Sequence, residues 1–468
     1  MKREGMHMSD HRIPRLARSL RKKGPVMSIS RLMALSFLGI ILLGTLLLSL
    51  PAASRDGRPA GLLTSLFTAT SATCVTGLVL RDTWSQWSGF GQTVILLMIE
   101  TGGLGFMSAA SLAYMTLRRR IGMRQQMVMA EAIGAASMTN VVSHQKKLLI
   151  RAFAVEGIGA AILTFRFLAE YPLPQALKLG IFHSVSAFCN AGFDILGFRA
   201  PGSSLALYHT DPVVSLTIGA LVVLGGLGFL VWDEVLEERK TPRTWSVYTR
   251  LVLITTGVLL LLGMALTCLL EWNNPATLGP LAPGEKLLAA LFQSVTLRTA
   301  GFAGLDQGAL TPAGKAVSIF LMLIGGSSGS TAGGLKTVTL VVLLMFLWNR
   351  MRGRYTVSVF HRTIADDHVL NAITIFILMV SLSFIGATVI AATSPAGFTD
   401  SLYESVSAIG TVGLSTGITA KMSLPAQIMI MIYMYFGRVG VLTLSVGFLK
   451  KKPAGENFRY ANTDLLIG

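Results

Sequence analysis

Long apolar stretches alternate along the chain with shorter, half-apolar ones, and the alternation recurs. Runs with few charges occupy residues 31–50, 89–115, 148–168, 211–232, 250–271, 314–348, 369–392 and 424–449. Most reach the ~20 residues that a helix needs to cross ~30 Å of hydrocarbon, so each is expected to form a crossing helix. Between them lie residues 62–72, 174–188, 285–297 and 399–409, half-apolar and too short to cross. Each short stretch leads into a polar loop closed by a glycine: Ser71-Ala-Thr-Cys-Val-Thr-Gly77, Ser186-Ala-Phe-Cys-Asn-Ala-Gly192, Thr296-Leu-Arg-Thr-Ala-Gly301 and Ser407-Ala-Ile-Gly-Thr-Val-Gly413. The glycines stand 115, 109 and 112 residues apart. Self-similarity at a steady period is the mark of repeated structural units.

The pattern predicts an all-α membrane protein of four pseudo-fourfold helix-pore-helix repeats, with eight transmembrane helices and four re-entrant pore helices around one pore. The repeats are placed at 31–116, 148–233, 250–349 and 368–450, joined by linkers 117–147, 234–249 and 350–367. A basic segment 1–30 precedes them and a tail 451–468 follows. Irregular backbone is tolerated at membrane depth only against protein or a water-filled path, because unpaired carbonyls are costly in lipid. Four such loops around an axis would offer rings of carbonyl oxygens to a dehydrated cation. The candidate filter positions are Cys74, Val75, Thr76 and Gly77; Cys189, Asn190, Ala191 and Gly192; Arg298, Thr299, Ala300 and Gly301; and Gly410, Thr411, Val412 and Gly413. Isolated Gly/Ser patches also serve helix packing, but four of them at near-equal spacing favour a filter. None of these positions is Asp or Glu, which favours a carbonyl-lined monovalent site over a carboxylate ring. Asp82, Asp194 and Asp306 follow three of the glycines and are candidates for a negative outer mouth.

Composition agrees. The chain is 52% hydrophobic and 13% charged, with a mean hydropathy of +0.61. Its net charge of +17 raises the question of nucleic acid. The basic residues, however, gather in 1–31, 116–151, 233–250, 349–362 and 450–459, without aromatic interleaving of the kind that single-strand binding uses. All these segments fall on one side if the helices cross in turn, which marks the cytoplasm and places both termini there. The first ~30 residues lack the apolar core of a cleaved signal. Cys74, Cys189 and Cys268 show neither disulfide nor metal-ligand spacing. The seven histidines, His183 in a pore segment among them, form no catalytic set, so an enzyme is not expected.

A second set of glycines suggests a gate. Patches return 25, 33, 24 and 24 residues after the filter glycines, at Gly102, Gly225, Gly325 and Gly437. The third patch, Gly325-Gly326-Ser327-Ser328-Gly329-Ser330-Thr331-Ala332-Gly333-Gly334, is too rich in glycine to remain helical at ~1 kcal/mol per glycine. Residues 325–336, ending near Lys336, are therefore expected to form an intramembrane loop beneath the filter, joining two half-helices. In the fourth patch Arg438 stands between Gly437 and Gly440. A guanidinium at membrane depth needs a pore or a partner, and below a cation filter it would oppose permeation. Glu100 is a candidate partner for Arg438 or Arg166, and Arg298 and Glu404 are candidate braces of the filter backbone.

These motifs resemble the Trk, Ktr and HKT superfamily of potassium transporters over about residues 30 to 450, most nearly the Ktr membrane subunit. The resemblance rests on Thr76-Gly77-Leu78, Cys189-Asn190-Ala191-Gly192-Phe193, Arg298-Thr299-Ala300-Gly301-Phe302 and the run Gly329 to Thr337. It implies potassium uptake through one pore per subunit, a homodimer in the bacterial plasma membrane, and a cytoplasmic ring of RCK-type nucleotide-binding regulatory subunits. It also implies that Arg438 and the intramembrane loop form the gate. Sodium dependence is a feature of some Ktr systems. The alternatives are a proton- or sodium-coupled Trk/HKT-type symporter and a non-selective monovalent cation channel.

Overall fold

The apolar runs fold into helices whose surface is inverted relative to a water-soluble protein. Leu42, Leu46, Phe165, Leu261 and Leu269 are 57% to 81% exposed, whereas Ser65, Ser71, Thr73, Ser186, Thr296 and Ser407 are fully buried. That distribution suits a helical protein surrounded by lipid, in which polar groups must find partners inside. The structure, a computed structural model, describes residues 29–105, 141–237, 245–354, 356–360 and 362–440. The tail, nearly all of the amino-terminal segment and most of the first linker lie outside the described residues.

Helix α1 (Ile29–Leu48) is followed by α2 (Leu62–Thr73) and α3 (Gly89–Gly103). Next come α4 (Val141–Phe167), α5 (Leu173–Phe188), α6 (Pro212–Leu227) and α7 (Phe229–Glu237). Then follow α8 (Val247–Glu271), α9 (Pro283–Thr296), α10 (Pro312–Leu323) and α11 (Thr337–Met351), and finally α12 (Asp366–Thr393), α13 (Phe398–Ile409) and α14 (Leu424–Val439). A two-stranded ribbon, Ser358–Val359 against Arg362–Thr363, interrupts the helical pattern in the linker before α12. By length and composition, α1, α4, α8 and α12 suffice to cross a membrane. Each packs on the short helix that follows it.

The third helix of each group starts on a side-chain cap. Ser88 accepts from the Gly91 N–H (3.2 Å), Asp211 from Val213 (2.9 Å), Thr311 from Gly314 (3.0 Å) and Ser423 from Ala426 (3.5 Å). Each cap satisfies an amide that the first helical turn leaves unpaired. The helix ends differ from the sequence-based expectation. Continuous helices are expected over 89–115, 211–232 and 424–449, with a break in the third group alone. Instead α6 and α7 meet at 95° across Gly228, whose φ is +89°. Helices α3 and α14 stop close to Gly105 (φ +84°) and Gly440 (φ +95°). A left-handed glycine cannot extend a right-handed helix, so each glycine patch ends one.

Glu271 joins the carboxyl-terminal end of α8 to the start of α10. Its carboxylate is 1% exposed. It accepts from Asn274 Nδ2 (2.6 Å), Thr277 Oγ1 (2.8 Å), the Thr311 N–H (2.9 Å) and Thr311 Oγ1 (2.7 Å). Glu271→Ala strands these donors and is expected to cost on the order of 3 kcal/mol, seen as a lower Tm of the detergent-solubilised protein. An unchanged Tm would show that the donors find other partners.

Candidate functional site

Helices α2, α5 and α13 end in the same turn. The N–H of Val75 donates to Ala72 O (3.2 Å) and that of Thr76 to Ser71 O (2.9 Å). The corresponding pairs are Asn190 to Ala187 and Ala191 to Ser186, then Thr411 to Ala408 and Val412 to Ser407. This closing pattern puts a left-handed residue just past the helix, usually glycine. Here that residue is Val75 (φ 55°), Asn190 (φ 58°) or Thr411 (φ 51°), and Thr299 takes φ 63° after α9. Positive φ is unfavourable for β-branched residues and persists only where the surroundings impose it. Two residues on, Gly77, Gly192, Gly301 and Gly413 again have positive φ, between 68° and 98°. A single residue of negative φ separates the two, and such alternation turns successive carbonyls toward a common side.

The residue that opens each loop braces it, a role not assigned from the sequence. Ser71 and Ser407 accept with their hydroxyl oxygens from the N–H of Gly77 (3.0 Å) and Gly413 (3.1 Å). Ser186 and Thr296 instead donate to the carbonyls of Phe193 and Phe302, both at 2.7 Å. The available signal was that Ser or Thr begins all four loops.

The glycines lie against one another in chain order. A β-carbon on Gly77 would stand 2.6 Å from Ala191 O, one on Gly192 2.8 Å from Ala300 O, and one on Gly301 2.6 Å from Val412 O. On Gly413 it would strike Thr76 O, which closes the ring. Above the ring is a vestibule of about 270 Å³, lined by the four glycines, Asp82 and Asp194 among others. Asp306 lies off this lining and instead caps its own turn, accepting from the Gly308 N–H (2.9 Å). Asp82 and Asp194 also hold loop amides, those of Ser85 (2.8 Å) and Leu196 (3.1 Å).

On the opposite side of the ring runs the segment from Gly325 to Lys336. Its two ends zip together, with Gly325 N–H donating to Leu335 O (2.9 Å) and Thr337 N–H to Gly326 O (3.1 Å). Thr331 reaches the glycine loop after α5, donating through Oγ1 to Phe188 O (3.0 Å) and Asn190 Oδ1 (3.0 Å). A β-carbon on Gly333 would strike Thr411 Oγ1. Arg438 secures the segment from below, donating to the carbonyls of Thr331, Gly102 and Gly103, the last at 2.9 Å. Lys336 Nζ donates to Ala332 O (2.8 Å), and Ser330 Oγ to Ser327 O (2.7 Å).

Three charged residues sit differently from the sequence reading. The Arg298 side chain donates to Gly325 O (3.0 Å) rather than to the loop backbone beside it, so it steadies the segment 325–336. Glu404 accepts from the hydroxyls of Ser415 and Thr419 (3.0 Å) and from the Thr416 backbone, and thus braces the loop after Gly413 rather than positions 410–413 themselves. Glu100 pairs with neither proposed arginine. It faces Glu156 of α4 and Cys189, whose Sγ lies 3.6 Å from the Glu100 carboxyl. Arg166 is engaged by Asp211 (2.6 Å) and Glu170 (2.9 Å). His183 is packed, with Nδ1 2.8 Å from Leu179 O.

Comparison with known proteins places this geometry. The sequence pattern of the family described as "TrkH: Cation transport protein" matches residues 34–460. The potassium/sodium uptake protein NtpJ of Enterococcus hirae is 37% identical, the match covering 94% of this chain and 97% of that protein. The Ktr system potassium uptake protein B of Bacillus subtilis is 36% identical, over 94% of this chain and 96% of that protein. In fold, the chain is similar to the crystal structure of the potassium transporter TrkH from Vibrio parahaemolyticus, with a TM-score of 0.69 at 18% identity. That likeness covers 92% of this chain and 86% of the other. With its buried polar loops and lipid-facing helices, this chain is a multi-pass membrane protein and belongs to the TrkH family of cation transport proteins.

Proposed function

We propose that the chain is the potassium-translocating membrane subunit of a Ktr/Trk-type uptake system. The observation that carries this reading is the closed ring of glycines, each crowded by a carbonyl of the next loop. In this reading every group of helices is one repeat: a crossing helix, a re-entrant pore helix and a second crossing helix broken at its glycine patch. Four repeats surround one pore. The carbonyls of residues 74–77, 189–192, 298–301 and 410–413 replace the water of a monovalent cation. Asp82 and Asp194 in the vestibule raise the local cation concentration.

The segment 325–336 and Arg438 form the gate. Thr331 seats the loop against the filter base, and the guanidinium adds a fixed positive charge on the exit side. Opening then means withdrawal of both. The basic segments and both termini face the cytoplasm of a bacterial cell. There a homodimer of the chain docks a nucleotide-binding RCK-type ring.

Rubidium uptake by potassium-requiring cells tests the reading, with wild type compared to Gly77→Ser at matched membrane levels. Expected is uptake that potassium competes away and that the serine variant reduces to background. Uptake indifferent to this glycine, or competed equally by sodium and potassium, sinks the selective-pore reading. An arm with and without external sodium is included because NtpJ is named for both ions.

A further inference from the structure

The first half of the intramembrane loop is tied to the break between α6 and α7. Ser327 donates through its N–H to Gly226 O (3.0 Å) and through its hydroxyl to Leu227 O, and Thr331 N–H donates to Gly225 O (3.2 Å). In return Phe229, the first residue of α7, donates its N–H to Gly329 O (3.0 Å). These bonds satisfy carbonyls and an amide that the break releases from the helix. Gly228 leaves no room at the junction: a β-carbon there would stand 2.7 Å from Ser327 Oγ and 2.9 Å from Ser328 O.

One bond comes from a third element. Tyr248, in the first turn of α8, donates its hydroxyl to Ser328 O at 2.8 Å, at the exposed tip of the loop. The start of α8 is itself fixed to α7. Glu234 accepts from the Ser246 N–H, from Ser246 Oγ (2.7 Å) and from Thr249 Oγ1. Helix α7 is anchored on its other sides as well. Asp233 pairs with Arg151 of α4. Trp232 meets Phe188 edge to face at 5.7 Å and donates through Nε1 to Leu224 O (3.1 Å). Thus α7 is a short lever with one end on the loop and its body bound to Arg151 of α4, to the end of α5 and to the start of α8.

We propose that Tyr248 is a positioning residue for gating: its hydroxyl latches the tip of the intramembrane loop to α8, and a shift of α7 with the start of α8 releases it. The inference rests on reading residues 325–336 as the gate. Its physical content is a two-position equilibrium in which one hydrogen bond favours the obstructing position. Removing that bond raises the released fraction by about fivefold, the usual effect of one net hydrogen bond.

The test is Tyr248→Phe, which removes the donor and keeps the ring. In potassium-requiring cells with the full transport system, rubidium uptake is expected to show a Vmax about fivefold above wild type, with KM unchanged because the filter is untouched. A tyrosine that only supports folding would give a lower Vmax at equal membrane level, and that result overturns the latch. In protein lacking residues 327–333, already released, adding Tyr248→Phe should change nothing. If the deleted protein fails to insert, a shorter deletion of Ser328 to Ser330, which also removes the carbonyl that Tyr248 holds, provides the released background. Raised uptake in the released background with wild-type Vmax in Tyr248→Phe rejects the latch and leaves the gate standing. A released background without raised uptake rejects the gate, and the latch with it.

Discussion

Rubidium uptake by Gly413→Ala is expected to fall to about 1% of wild type, an increase of ~3 kcal/mol in the barrier. Two costs combine. Gly413 has φ +93°, and a side chain in left-handed backbone costs ~1–2 kcal/mol. The added carbon also strikes Thr76 O, so the neighbouring loop must yield, and the yielding atom is itself a carbonyl of the proposed filter. Gly61→Ala separates the two costs. Its φ is +85°, yet nothing lies within 4 Å of the position a β-carbon would take. That variant carries the backbone penalty without touching the ring, and uptake per inserted protein should stay within about threefold of wild type. Equal losses in both variants would mean that the measurement reports folding. Uptake in Gly413→Ala above a tenth of wild type would mean that the ring is not where ions pass.

The ring was legible because it is written four times in local sequence, as a short half-apolar stretch, a polar loop and a glycine. Helix α5 over Leu173–Phe188 and α13 over Phe398–Ile409 lie close to where that pattern puts them. The break at Gly228 was not legible. Gly225-Gly226-Leu227-Gly228 reads like the first patch, and hydropathy stays high through Trp232. What allows a break there is a partner about 100 residues away, since Ser327 and Thr331 take up the carbonyls that the broken helix frees. Long-range satisfaction of backbone groups leaves no mark in local periodicity. The same holds for Arg298. The sequence argument that a buried charge needs partners was sound, but it could not tell the filter backbone from Gly325 O on the loop behind it. Left-handed Val75 and Thr411 are a further case. Propensity argues against positive φ at β-branched residues, and the braces from Ser71 and Ser407 beside them depend on the folded turn.

Arg438→Ala is expected to raise rubidium Vmax about tenfold, with KM and the preference for potassium over sodium unchanged. The guanidinium joins three elements: it projects from the last turn of α14 and donates to Thr331 O on the loop and to Gly102 O and Gly103 O at the end of α3. Carbonyls at a helix carboxyl end are a favourable site for a cation, which explains how an arginine is kept at membrane depth. In the proposed gate the arrangement acts on permeation in two ways. The bond to Thr331 would hold the loop against the base of the proposed filter, and the charge would repel a cation leaving it. Two like unit charges within several Å of each other at an effective dielectric constant of ~20 repel by a few kcal/mol. Arg438→Lys distinguishes the two contributions, because a lysine keeps the charge but lacks the planar fork that spans several carbonyls. If Lys matches Ala, the tether to Thr331 sets the rate. If Lys stays near wild type while Ala is fast, the charge does. Should neither variant exceed wild type at equal membrane level, Arg438 is a structural clamp between α14, the loop and α3, and the obstruction lies in the loop alone.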